Sequence, residues 1–157
     1  MFSKLKPYII SILIALAVGG ASALLTMGNM NIYSEIRTPP LSPPSILFPI
    51  VWTILYILMG VSAAMIYTDK NSKEKEKKEA LVPYASSLIV NFAWSIIFFN
   101  FRAFFVSFIW LVLLLYLIIK TITEYIKINS LAAYLQIPYA IWVGFAGYLN
   151  LGIWLLN

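Results

Sequence analysis

Trp52, Tyr56, Asn91, Trp94 and Trp142 fall in separate apolar runs of this 157-residue chain. If the helices that carry them surround one cavity, the available chemistry is stacking plus hydrogen bonding. Aromatic faces with a few polar atoms suit a flat, largely apolar ligand. Asn91, Trp94, Ser95 and Phe98 recur at i, i+3, i+4 and i+7, so they share one helix face. A carboxamide in lipid needs partners, which turns that face into the bundle, either for an interhelical hydrogen bond or as a polar handle in a pocket. Tyr139, Trp142, Ala146 and Leu149 share a face in the last apolar run. Each tryptophan also has the plainer reading of an interfacial anchor. That reading suits Trp154 and Trp110 better than Trp142, which lies near mid-span.

Ahead of Trp52 stands T-P-P-L-S-P-P, with Pro39, Pro40, Pro43 and Pro44. Proline fixes φ and removes a backbone donor, so this stretch is a stiff extended loop. Lying over a helix end, it can serve as a lid.

Other chemistries find little support. The chain has no Cys and no His, which removes disulfides, thiol chemistry and the usual zinc and haem ligands, leaving only Met or Tyr. No charged residue falls firmly at a span centre, as a proton relay would require. There is no phosphate-binding glycine loop, no nucleophile elbow and no carboxylate pair. No cofactor is implied, and no catalytic residue is assigned. The net charge of +5 is confined to span ends and one hydrophilic loop, which argues against nucleic acid.

At 62% hydrophobic residues, a soluble domain of this size could not hide its apolar surface. The reading is an all-α integral membrane protein, a single five-helix bundle over residues 1–157. The expected spans are about 7–28, 46–67, 83–101, 104–125 and 131–155, each close to the roughly 20 residues a bilayer needs. The first is too long for a signal peptide core and is read as retained. Arg102 and Ala103 alone separate the third and fourth, giving a tight hairpin after the polar break Asn100-Phe101-Arg102. The loop from Asp69 to Glu79 mixes charges and belongs in water, helical or frayed. Pro138 is expected to bend the last helix, and Asn150 to lie near its outer end. Ala15, Gly19 and Ala23, with Gly60 and Ala64, form small-residue stripes that serve bundle packing or a homodimer seam. All nine lysines fall on the N-terminal side of such a bundle, and Arg37 and Arg102 on the other. The positive-inside rule then predicts a cytoplasmic N-terminus and an outside C-terminus, in a bacterial cell membrane.

At these residues the chain resembles the TspO/MBR family, the tryptophan-rich sensory proteins related to the mitochondrial translocator, or peripheral benzodiazepine receptor, protein. The resemblance rests on Tyr33 before the Pro-Pro loop, then F-P-I-V-W-T-I-L-Y-I-L-M-G, V-N-F-A-W-S-I-I-F-F and I-P-Y-A-I-W-V-G-F-A-G-Y-L-N. It implies a five-helix bundle, often dimeric, with membrane lipid around it and a pocket opening toward the first loop. It implies binding of porphyrins such as protoporphyrin IX, with Trp52, Asn91 and Trp142 at the ligand and Tyr33, Pro43 and Pro44 in the lid. Arg37 at the loop end could pair with propionates. Sensing, transport, or light- and oxygen-dependent porphyrin degradation through Trp52 and Trp142 are the functions it suggests; a lipid-holding structural role is the remaining one. Where the family usually has Trp-Tyr before the loop and a Trp within it, this chain has Ile32-Tyr33 and Leu41. No basic residue follows Tyr148, so the sterol-recognition pattern is unmet.

Overall fold

The computed structural model describes residues 2–157, and they form helices joined by short connections. Helix α1 runs over Phe2–Thr26 and closes in a 3-10 turn, Met27–Asn29. The four-residue α2 (Ile32–Glu35) opens the proline loop. Helix α3 is Leu47–Tyr67 and α4 is Glu74–Ser95, continued by a π-helical turn at Ile96–Asn100. Helix α5 is Phe104–Ile126, α6 is Ser130–Leu135 and α7 is Ile137–Leu156. Taking α6 with α7, five helical stretches are long and apolar enough to cross a membrane.

Two helix boundaries stand out. The helix that carries the third span begins at Glu74, ahead of the expected span start near 83, because the charged loop is helical from there, one of the two forms read for it from the sequence. The Glu76 carboxylate accepts the Lys73 main-chain N–H at 3.1 Å, and acidic residues in the first turn complement the helix dipole. The last span is interrupted at Gln136 rather than simply bent by proline. Asn129 caps α6 through its Oδ1, which accepts the N–H groups of Leu131 and Ala132. Pro138 stands in the first turn of α7, where no N–H is needed.

Helix α1 packs on α3 and α4, α5 packs between α4 and α7, and α6 leans on α3 and α5. The contact between α1 and α3 tightens at Gly60, where an added Cβ would lie 2.5 Å from Ile12 Cα. Lipid tails are as apolar as leucine, so close packing and interhelical hydrogen bonds hold such a bundle. Buried Leu55, Met59, Leu111, Leu114 and Ile118 fill its centre, while Leu13, Leu24, Ile54, Ile89 and Ile141 face outward. Polar ties join the helices. Ser62 Oγ donates to the Ala132 carbonyl at 2.7 Å, and Gln136 Nε2 donates to Ser62 Oγ at 3.2 Å. Trp110 Nε1 donates to the Val90 carbonyl at 2.9 Å, so this tryptophan is an interhelical tie rather than a belt anchor. Trp154 is partly exposed and stacks on Phe105 at 4.7 Å, as an anchor would.

The hairpin between α4 and α5 turns at Arg102, whose φ of 51° is left-handed. Its guanidinium pairs with Glu35 at 3.1 Å, both side chains half exposed. An exposed pair of this kind contributes about 1 kcal/mol at most. Glycine at a left-handed position recovers about 1 kcal/mol of strain. Arg102→Gly is therefore expected to leave thermal stability within a few degrees of wild type. Arg102→Val is expected to lower it clearly, since a β-branched residue fits that φ poorly. Thermal melts of the two variants in one detergent check this.

Candidate functional site

Toward the proline-loop end, between α1, α3, α4 and α7, lies a cavity of 420 Å³. Ligand pockets usually fall between about 300 and 1,000 Å³. Its walls come from α1, α3, the end of α4 with its π turn, and α7. Trp52, Trp94, Phe48 and Phe98 present aromatic surface, and Leu16 and Gly19 line the α1 side. Trp94 and Phe98 stack with centroids 5.2 Å apart. At the floor, Asn91 Nδ2 donates to the Tyr56 hydroxyl at 3.2 Å, and Asn91 is almost fully buried. That bond leaves the amide oxygen of Asn91 as an acceptor and the Tyr56 hydroxyl proton as a donor. Among the described residues, no Asp, Glu, Lys or Arg lines the cavity. A ligand held there meets apolar and neutral polar groups only, and any charge it carries must stay toward the loop.

Tyr33, Trp52, Tyr56, Asn91, Trp94, Ser95 and Ala146 all line this one cavity. Pro43, Pro44, Tyr139 and Trp142 do not. Tyr139 is buried behind Trp52, edge-on at 6.3 Å. Trp142 stands edge-on to Phe48 at 5.9 Å, one aromatic layer behind the wall, with its Nε1 buried and lacking a protein partner among the described residues. A helix face fixes direction to within a residue or so, and at α7 the ring turns toward the start of α3. Pro43 acts through its main chain: its carbonyl accepts the Tyr33 hydroxyl at 3.1 Å. The Pro44 carbonyl accepts the Leu47 N–H at 3.0 Å, which starts α3.

The loop closes the cavity's end as a tied cover. The Tyr148 hydroxyl donates to the Pro40 carbonyl at 2.6 Å. Asn157 brackets Arg37, accepting its N–H at 3.1 Å and donating to its carbonyl at 2.8 Å. The side chain of Arg37 is not part of the cavity wall. Pro39 is buried against Gly152, where an added Cβ would come within 2.5 Å of the ring. Burial raises the Tyr33 phenol above its ordinary 10.0, with the Ser42 hydrogen bond opposing. Tyr33 therefore stays a neutral donor to Pro43 across physiological pH. Leu41, where the resemblance led one to look for tryptophan, is 84% exposed at a φ of 70° and points away from the cavity wall.

Several residues escaped the sequence reading. Phe99 reaches the wall because a π turn re-aims the end of α4, and π turns leave no clear sequence mark. Asn150, expected near the outer end, is buried and joins three helices. Its Oδ1 accepts Trp94 Nε1 at 3.1 Å and Ser107 Oγ at 3.0 Å, and its Nδ2 donates to the Phe104 carbonyl at 2.7 Å. The α1 stripe was visible, but as packing. Gly19 does pack, since a Cβ there would overlap the Tyr56 ring, yet the same stripe also forms cavity wall.

Five spanning helices and an uncharged aromatic cavity beneath a tied loop define a polytopic helical membrane protein with an internal apolar site. Sequence comparison gives the family. The TspO/MBR family model matches residues 11–155. The tryptophan-rich protein TspO of Chlorobaculum tepidum is 35% identical over 145 residues, covering 92% of this chain and 91% of the relative. Protein CrtK of Rhodobacter capsulatus is 33% identical, with 92% and 89% covered. The translocator protein of Bos taurus is 32% identical over 122 residues, with 78% and 72% covered. The chain belongs to the TspO/MBR family and is an integral membrane protein.

Proposed function

We propose that this protein is a membrane receptor or carrier for porphyrins and similar flat, largely apolar molecules. The observation that carries the reading is the uncharged aromatic cavity with the Asn91–Tyr56 pair at its floor. Trp52, Trp94 and Phe98 offer faces for stacking. The ring carboxylates of protoporphyrin IX would stay at the loop end, since the cavity has no cation to meet them deeper in. Lysine placement supports a cytoplasmic N-terminus in a bacterial cell membrane, with the cavity toward the outside. A homodimer surrounded by lipid is the proposed assembly.

Quenching of tryptophan fluorescence by protoporphyrin IX tests the reading. Wild type is expected to quench saturably at micromolar concentration or better. A stacked aromatic contributes about 0.5–1.5 kcal/mol, so Trp94→Ala is expected to weaken binding roughly 2- to 12-fold. Asn91→Ala is expected to weaken it similarly, through loss of the polar floor. Trp142→Phe should leave affinity within about twofold, because the ring is off the wall and a phenyl refills much of its place. Non-saturable quenching in wild type would remove the porphyrin reading. Light- and oxygen-dependent breakdown of the same ligand is the second reading, carried by Trp52 on the cavity wall. Product formation that disappears in Trp52→Phe while binding persists would favour it.

A further inference from the structure

The cavity is tied beneath the loop, where the exposed Met30 and Ser45 also line it, and it opens toward the side. On the loop side, Tyr33, Tyr148 and Asn157 tie the cover, and Pro39 is wedged against Gly152. The wall residues from the end of α4 and from α7 are buried or half-buried. By contrast, Gly20 and Ala23 on α1, and Pro49 and Thr53 on α3, line the cavity while being exposed themselves. The mouth therefore runs between the upper halves of α1 and α3, from Met30 and Ser45 at the loop end to Gly20 and Thr53. Its origin is geometric. The two helices touch at backbone level where Gly60 meets Ile12 and through the Tyr56 ring packed on Gly19, while a Cβ at the next position, Gly20, would meet nothing within 4 Å.

The rim of this mouth is apolar. Leu24 and Leu25 flank it on α1, and Ile50 and Ile54 on α3, all strongly exposed. Between the helices its hydroxyl, on Thr53, already donates to the Pro49 carbonyl at 2.7 Å, and a second exposed hydroxyl, on Ser45, lies at the loop end. Pro49 itself has no N–H to leave unsatisfied. Between the helices nothing at the rim calls for water, and both helices are within their spanning stretches.

We propose that this slot between α1 and α3 is a lateral portal, and that the protein takes its ligand from the hydrocarbon of the bilayer rather than from water. The inference rests on the ligand reading above and narrows it to molecules that first partition into lipid. The tied loop is then a cover that retains ligand, and the bilayer is the reservoir that concentrates it. A flat ring system passes such a slot edge-on, between Gly20 and Thr53.

The absence of cysteine from the chain makes the test clean. The first measurement uses a Thr53→Cys variant in intact vesicles. A lipid-soluble pyrenyl maleimide is expected to label it, and a membrane-impermeant sulfonated maleimide is not. Labelling by the sulfonated reagent at a comparable rate would place the mouth in water and overturn the portal, whether or not porphyrin binds. The second measurement follows the rate of quenching by protoporphyrin IX preloaded into lipid. Gly20→Leu narrows the slot, and its Cβ starts into space with no neighbour within 4 Å; a thermal melt of the variant checks that it folds. It is expected to slow association by about tenfold with a much smaller change in equilibrium affinity. Tyr148→Phe, which frees one tie of the cover, is expected to leave the rate unchanged. A rate raised by Tyr148→Phe and indifferent to Gly20→Leu would instead assign access to the loop. Wild type that fails to bind porphyrin, with Thr53→Cys still labelled only from lipid, would sink the porphyrin reading and leave the portal standing.

Discussion

Gly60→Ala is expected to be among the most damaging single substitutions in this chain, although it adds one methyl group. The added carbon would lie 2.5 Å from Ile12 Cα and 2.8 Å from Ile12 N, both main-chain atoms of α1. A flexible side chain could swing aside; a helix backbone cannot. The contact can be relieved only by moving α1 off α3 as a body. Overpacking a tight core costs about 1–3 kcal/mol, and a backbone obstacle belongs at the upper end of that range. The gain in helix propensity from Gly to Ala, about 1 kcal/mol, does not offset it. Gly20→Ala is the control, because its methyl meets no atom within 4 Å. It should keep or slightly raise the melting temperature. Thermal denaturation in a single detergent separates the two, and equal melting temperatures would show that α1 shifts freely. Since α1 and α3 also bound the cavity, Gly60→Ala should disturb ligand binding beyond its effect on stability.

Asn150→Leu is the second large effect expected. The carboxamide ties Trp94 of α4, Ser107 of α5 and the Phe104 carbonyl to α7. Leucine is close in size, so the change removes hydrogen bonds more than volume. Interhelical hydrogen bonds in membrane proteins average about 0.6 kcal/mol each and reach about 1.7. Three together give roughly 2–4 kcal/mol, counting the orphaned indole N–H and carbonyl left behind. Ser107→Ala removes one partner and should cost less, about 1 kcal/mol. The functional consequence runs through Trp94, whose indole lines the cavity and is held by Asn150. Asn150→Leu should therefore weaken protoporphyrin quenching even in protein that remains folded. Thermal melts and quenching titrations on the same samples check both parts, and a variant as stable as wild type would show that the three groups find other partners.

Much of the architecture could be read from the residues alone. Apolar runs of bilayer length and a two-residue link at Arg102-Ala103 mark five spans, and the helix period brings Asn91, Trp94, Ser95 and Phe98 to one wall. The boundaries at Glu74 and Gln136 were less legible, because caps and charged first turns extend or break a helix regardless of hydropathy. Among the candidate site residues, those on α3 and α4 come to the cavity, but Tyr139 and Trp142 of α7 stand behind it. A shared face states which side of a helix a residue occupies. It does not state how far that helix stands from its neighbours.

That distinction separates the two levels. Sequence by itself determined the membrane environment, the number of spans, the stiff loop and the aromatic and amide inventory. These follow from local quantities: transfer free energy per residue, the fixed φ of proline and the 3.6-residue turn. Only tertiary structure decided which small residues pack and which open a wall, why Asn150 is a junction, and where the cavity meets the outside. Those depend on how closely two backbones approach, as at Gly60 against Ile12, and on which positions their packing leaves uncovered, as at Gly20 and Thr53. Interhelical distance is a property of a pair of helices, and no single run of residues specifies it.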